Sequence, residues 1–169
     1  MTTQLDWLRG CATALVTPFT ASGAVDEPRL RGLIEYQITN GVRILVPCGT
    51  TGESVTMNEA ERVTVIKATV DVAKKLKAFV IAGTGSNNTA ATIDFTRKAR
   101  EAGADAALVV APYYNKPTQD GMFAHFSEIA RSVKGFPIMM YNVPGRTSSN
   151  RCATRRQRPS SKPSSVCRS

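Results

Sequence analysis

Short, continuously apolar runs alternate with amphipathic segments along the first 150 residues. The runs are 12–18 (ATALVTP), 43–47 (RILVP), 78–83 (AFVIAG), 106–112 (AALVVAP) and 136–142 (FPIMMYN). Between the first two, 26–41 has Leu30, Leu33, Ile34 and Ile38 at helical spacing, with Asp26 as cap, Pro28 in the first turn and Gly41 as stop. A second helix is predicted over about 58–76, with Val63, Ile66, Val70 and Ala73 on one face. A third runs over 89–102 and stops at Gly103, and a fourth over 119–133 carries Met122, Phe123, Phe126, Ile129 and Ala130.

The strands recur about every 30 residues, the length of one βα unit. They are apolar throughout rather than alternating, as in a parallel sheet covered on both faces. An open doubly wound sheet and part of an eight-fold βα barrel both satisfy this. The dinucleotide fingerprint GxGxxG is missing after the first strand, and GTGSNN at 83–88 follows the third strand without the last glycine. The unusual chemistry falls in the loops after strands two to five, the end of a βα barrel where sites are built. The expected fold is therefore α/β, an incomplete TIM (β/α)8 barrel of about five strands and four helices, followed by an irregular basic tail.

The 169 residues suit one domain, and no run is long and apolar enough to span a bilayer. The N-terminus lacks the charged and apolar regions of a secretory signal. Cys11, Cys48, Cys152 and Cys167 form no CxxC pair, which predicts free thiols in a cytoplasmic protein and no zinc site. The net charge is +9, of which +6 lies in residues 151–169 and only +3 in 1–150. The division predicted is 1–150, barrel-type, and 151–169, a disordered tail.

Loop chemistry narrows the function. In CGTTGES (48–54), Gly49 and Gly52 permit a tight turn, and Thr50 and Thr51 offer hydroxyls and consecutive N–H groups suited to a carboxylate or phosphate. A self-satisfied glycine turn reads equally well. Tyr113 and Tyr114 end strand four and Tyr141 ends strand five, where a tyrosine can pass a proton or simply pack at the rim. Arg146, in a Pro-Gly loop, can grip a carboxylate or remain solvated. Glu53 reads as a hydrogen-bonding scaffold. His125, the one histidine, reads as a surface or helix-flank residue.

GTTGE, AGTGSN, APYYNKP and YNVPGRT, in this order on successive βα units, closely resemble 4-hydroxy-tetrahydrodipicolinate synthase (dihydrodipicolinate synthase), of the pyruvate-dependent class I aldolases. The likeness covers about 8–150. It implies an eight-fold barrel, commonly a homotetramer, that condenses pyruvate with L-aspartate 4-semialdehyde on the lysine and diaminopimelate pathway, with no cofactor or metal. It implies that Thr50, Tyr114 and Tyr141 form a proton relay, Tyr114 entering from a neighbouring subunit. Thr50 and Thr51 would bind the pyruvate carboxylate, and Arg146 that of the semialdehyde. The double tyrosine and VPGRT favour the synthase over N-acetylneuraminate lyase and keto-deoxy sugar acid aldolases. Asn87 and Tyr113 fit the family's lysine feedback site, whereas Glu59 and Ala91 replace a histidine and an acid, so weak or absent lysine inhibition is implied for an intact relative.

The likeness also implies a Schiff-base lysine on a sixth strand, one βα unit beyond Tyr141. Residues 151–169 hold one Val, no Leu, Ile, Phe or Met, two prolines and five serines. Such a segment cannot bury an amphipathic face. Lys116 lies in a site-side loop, but on an exposed Asn-Lys-Pro turn. Three readings stay open: a truncated or frameshifted fragment inactive alone; a half completed by a second chain carrying strands six to eight; and a nonspecific anion or nucleic-acid binder using the basic tail. The first is preferred. The tail has no aromatics to stack on bases, and no specific nucleic-acid or membrane partner is expected.

Overall fold

The computed structural model describes residues 5–147. The expectations for the tail, including Cys152 and Cys167, lie outside the described residues. The elements are β1 (Ala12–Ala14), α1 (Glu27–Thr39), β2 (Ile44–Val46), α2 (Glu59–Lys75), β3 (Phe79–Gly83), α3 (Thr89–Glu101), β4 (Ala106–Val110), α4 (Gln119–Ser132), β5 (Ile138–Tyr141) and α5 (Pro144–Thr147).

The helices start where polar side chains satisfy free N–H groups. Asp26 accepts from Arg29 N–H at 3.1 Å. Asn58 and Glu61 form a reciprocal capping box, at 3.0 and 2.8 Å. Asn88 and Thr118 cap α3 and α4, each accepting at 3.1 Å from the residue three further on. Gly41 and Gly103, at φ of 94° and 93°, turn the chain out of α1 and α3 as expected.

All five strands are parallel and lie in the order β1-β2-β3-β4-β5. This order excludes the doubly wound alternative. Reversal of strand order is what sends helices to both faces of a sheet; sequential right-handed crossovers keep them on one. Side chains alternate across the strands. Leu45, Val80 and Ala82 pack with Leu30, Ile34, Ile66 and Val70. Ala107 and Val109 continue that layer against Met122, Phe126 and Ile129. The opposite, concave face carries Ile44, Val46, Ile81 and Ala106, with Trp7, Leu108 and Met139. Trp7 stacks on Phe79 at 4.7 Å.

Three local expectations are corrected. The fourth helix buries His125 (5% exposed), while Phe123 is 36% exposed and Ala130 is exposed. Met122, His125, Phe126 and Ile129 form the buried stripe at spacings of three and four, and His125 Nδ1 shares a 2.9 Å hydrogen bond with Thr89 Oγ1. His125 is therefore neither a surface nor a flank residue. Arg146 is in a one-turn helix rather than a loop, because the N–H groups of Arg146 and Thr147 both donate to Val143 O, at 2.8 and 3.2 Å. Glu53 is exposed, and its backbone carbonyl, not its carboxylate, accepts from Thr56 Oγ1 at 2.8 Å.

Candidate active site

The loop after β2 folds back on itself. Gly52 and Ser54 N–H donate to Gly49 O at 3.1 and 3.4 Å, and Glu53 N–H donates to Thr50 O at 3.0 Å. The left-handed positions are Cys48 (φ 57°) and Glu53 (φ 54°), not the flanking glycines. The glycines answer a different need. A Cβ on Gly52 would lie 2.8 Å from Leu15 O, while nothing approaches Gly49. On β3, a Cβ on Gly83 would lie 2.2 Å from Cys48 O. The buried Thr17 hydroxyl donates to Gly52 O at 2.7 Å and pins the loop to the end of β1.

The neighbouring loops are held by side chains. Thr84 and Thr96 hydroxyls, both buried, meet at 2.8 Å. Asn87 Nδ2 donates to Asn115 Oδ1 at 3.0 Å and links the loops after β3 and β4. Thr147 Oγ1 donates to Asn142 Oδ1 at 2.9 Å and closes the turn that carries Arg146.

These loops enclose a small cavity at the C-terminal ends of the strands. Thr50, Tyr113, Tyr141 and Arg146 line it, over a floor that includes Cys48 and Val110. A wider hollow opens beside it, lined by Thr50, Val55, Tyr113, Tyr114, Lys116 and Arg146. Thr50 and Arg146 thus face both spaces, and Tyr141 only the inner one. Tyr114 is 89% exposed, at φ 69°, and reaches the outer hollow alone. Thr51 is exposed and lines neither. Among the described residues no hydrogen bond joins Thr50, Tyr114 and Tyr141. Lys116 is an exposed rim residue.

Two residues the chemistry of the loops did not flag support the cavity, Cys48 in its floor and Arg62 behind it. Cys48 is 2% exposed, its thiol donates to Arg62 O at 3.6 Å, and burial pushes its pKa up to about 12. The Arg62 guanidinium sits 3.7 Å over the Phe95 ring and donates to Gly83 O at 3.4 Å, and burial lowers its pKa. Arg62 therefore braces the junction of Cys48 and Gly83 from the helix side. No local signal marks it, since a helical arginine ordinarily reads as solvated.

Among the described residues no group of His, Cys, Asp and Glu could hold a metal ion, and no helix is long and apolar enough to cross a membrane. A sequential parallel sheet with its polar loops gathered at the C-terminal strand ends defines a βα-barrel enzyme, of which the described residues supply five strands. The chain belongs to the dihydrodipicolinate synthetase family, which matches residues 7–154.

It is 54% identical over 142 residues to the 4-hydroxy-tetrahydrodipicolinate synthase of Geobacter sulfurreducens, covering 84% of this chain and 48% of that protein. Among solved structures it resembles a dihydrodipicolinate synthase from Bacillus anthracis, with a TM-score of 0.77 at 51% identity, covering 82% of this chain and 47% of the other. It also resembles the chloride-inhibited synthase of Acinetobacter baumannii complexed with pyruvate, with a TM-score of 0.79 at 46% identity, covering 83% and 47%. The chain spans about half the length of the relatives it matches. All three are synthases by name; none is a sugar-acid lyase.

Proposed function

We propose that this chain carries the carboxylate-binding and proton-relay side of a site that condenses pyruvate with L-aspartate 4-semialdehyde to 4-hydroxy-tetrahydrodipicolinate. The observation that carries this reading is the convergence of Thr50, Tyr141 and Arg146 on one cavity at the strand ends. In the condensation, a lysine amine attacks the pyruvate ketone and water leaves to form an imine. Loss of a methyl proton gives an enamine, whose carbon attacks the semialdehyde. Tyr141, with Thr50, is suited to move those protons. The Thr50–Thr51 backbone is suited to the pyruvate carboxylate, and Arg146 to the carboxylate of the second substrate. The exposure of Tyr114 supports a role in a neighbouring subunit's site, within a cytoplasmic oligomer.

We further propose that residues 1–150 are the barrel-type portion and that the chain does not form the imine by itself. Lys116 is the one lysine that lines either hollow among the described residues, and its exposure provides none of the desolvation that activates an imine-forming amine. Two experiments test this. Borohydride reduction of the chain with pyruvate is expected to leave its mass unchanged; a stable adduct on any lysine overturns the claim of inactivity. A chimera joining residues 1–147 to the half of the G. sulfurreducens synthase that they do not match is expected to turn over. In it, Tyr141→Phe should lower kcat by roughly 10²-fold or more. An active Tyr141→Phe chimera removes Tyr141 from the relay.

A further inference from the structure

Arg62, on α2, meets the site from the helix side without an acid to hold it. Glu59, one turn earlier on α2, pairs instead with Lys98 at 2.6 Å. Among the described residues no carboxylate forms an ion pair with Arg62, and its buried Nε has no partner. Its Nη2 donates to Gly83 O at 3.4 Å, its guanidinium lies 3.7 Å over the Phe95 ring, and its backbone oxygen accepts from the Cys48 thiol at 3.6 Å. Burial lowers its pKa, an effect opposed by Cys48, Tyr113 and Glu59. The guanidinium stays protonated through such a shift. Burying a cation without a paired acid is costly, and an apolar side chain of similar length would cover Phe95 without that cost. The fold therefore gains little from the charge. The adjoining cavity is where a positive charge has a use. Three residues that line it, Cys48, Gly83 and Tyr113, are ones that Arg62 bonds or acts on electrostatically.

We infer that Arg62 is a positioning residue for pyruvate: it fixes the contact between Cys48 and Gly83 on which the Thr50–Thr51 backbone rests, and its charge favours a carboxylate in the cavity beyond. The contact leaves no slack. A Cβ on Gly83 would lie 2.2 Å from Cys48 O and 2.9 Å from Gly49 N, so β3 and the start of the loop touch backbone to backbone. Arg62 is bonded to both sides of that contact, to Cys48 through its carbonyl and to Gly83 through its guanidinium. A shift of Cys48 would pass through Gly49 to Thr50, which lines both hollows. The charge acts over a longer range. Attraction between charges is weakened less by a protein interior than by bulk water, so a cation behind the cavity wall strengthens carboxylate binding without touching the ligand. This role rests on the pyruvate site proposed above.

The test uses the full 169-residue chain. Wild type, Arg62→Met and Arg62→Lys are each titrated with pyruvate, and binding is read from the amide NMR shifts of Thr50 and Thr51. Methionine covers Phe95 but has neither charge nor donor, whereas lysine keeps both. Wild type is expected to bind, Arg62→Met to bind about fivefold more weakly, and Arg62→Lys to recover to within about twofold of wild type. The urea midpoint of Arg62→Met should match that of wild type or exceed it, where loss of a purely structural brace would lower it. If Arg62→Met does not fold, Arg62→Gln takes its place, neutral but still able to donate to Gly83 O. A neutral variant that binds pyruvate as wild type does, or an Arg62→Lys as weak as the neutral variant, overturns the role of Arg62 and leaves the pyruvate site standing. A wild-type chain whose Thr50 and Thr51 amides do not respond to pyruvate overturns the pyruvate site, and the role of Arg62 with it.

Discussion

The backbone N–H of Tyr114 donates to the carbonyl oxygen of Arg146 across 3.3 Å. It ties the loop after β4 to the helical turn after β5. The two side chains proposed to serve different steps, or different subunits, therefore share one backbone anchor. Because that anchor is main-chain, replacing the Arg146 side chain leaves it in place. In the chimera, Arg146→Lys keeps a positive charge but loses the planar fork, so KM for the semialdehyde should rise roughly tenfold, about 1.4 kcal/mol, with KM for pyruvate unchanged. Steady-state kinetics with each substrate varied in turn check this.

Gly83→Ala should destabilise the fold. Its Cβ would lie 2.2 Å from Cys48 O and 2.9 Å from Gly49 N, and both are backbone atoms that cannot rotate away. Overpacking of this kind costs about 1–3 kcal/mol. A urea titration should show a lower midpoint at unchanged slope, whereas Gly49→Ala, with open space around it, should cost clearly less.

Thr17→Val preserves shape and removes the donor to Gly52 O. The carbonyl is left unpaired in a buried setting, at a cost of about 1–3 kcal/mol. The effect should be local as well as global. Hydrogen exchange of Gly52, Glu53 and Ser54 amides should accelerate more than that of the α1 amides.

Cys48 should resist alkylation in the folded state. It is 2% exposed with a thiol pKa pushed up to about 12, while Cys11 is exposed. The thiolate is the reactive form, so iodoacetamide at pH 8 should modify Cys11 and spare Cys48 until denaturant is added. Peptide mass mapping reads both sites separately.

Acidification should weaken the α3–α4 contact through His125. Burial lowers its pKa from 6.5, and Nε2 is buried with no partner among the described residues. The unfolded chain therefore binds the proton more readily than the folded one. Stability contributed by this site is complete above pH 6.5 and is lost as pH falls from there through the lowered folded-state pKa. Urea midpoints at pH 7.5 and 5.5 should diverge, and His125→Gln, which can still bond Thr89, should reduce that divergence.

The element boundaries were legible because their signals are local. Asp26, Asn58, Asn88 and Thr118 each act on an amide three residues away, which a linear pattern displays. The candidate site was legible to the extent that its residues end strands, and Thr50, Tyr141 and Arg146 do meet in one cavity. Thr51 stays outside it and Tyr114 reaches only the outer hollow, since a loop's direction depends on neighbouring loops, here through Tyr114 and Arg146 and through Asn87 and Asn115. On α4 the hydrophobic pattern assigns Phe123 and Ala130 to the buried stripe and omits His125. Hydrophobicity points to Phe123, and only packing against α3, with Thr89 to satisfy the ring nitrogen, makes His125 the interior residue.

By itself the sequence determined the alternation of strand and helix, the Asp26 cap, the residues at the strand ends and the likeness to one synthase family, because each rests on composition and short spacings. The tertiary structure alone decided that the strands run in sequential order, that Cys48 and Glu53 rather than the glycines take the left-handed turns, and that Arg62 is stationed behind the site. It alone also made β1 and β5 the two edges of the sheet among the described residues. The strand order and the placement of Arg62 require residues 14 or more positions apart to meet, which is set by how the sheet forms and what the helices cover, not by any local pattern.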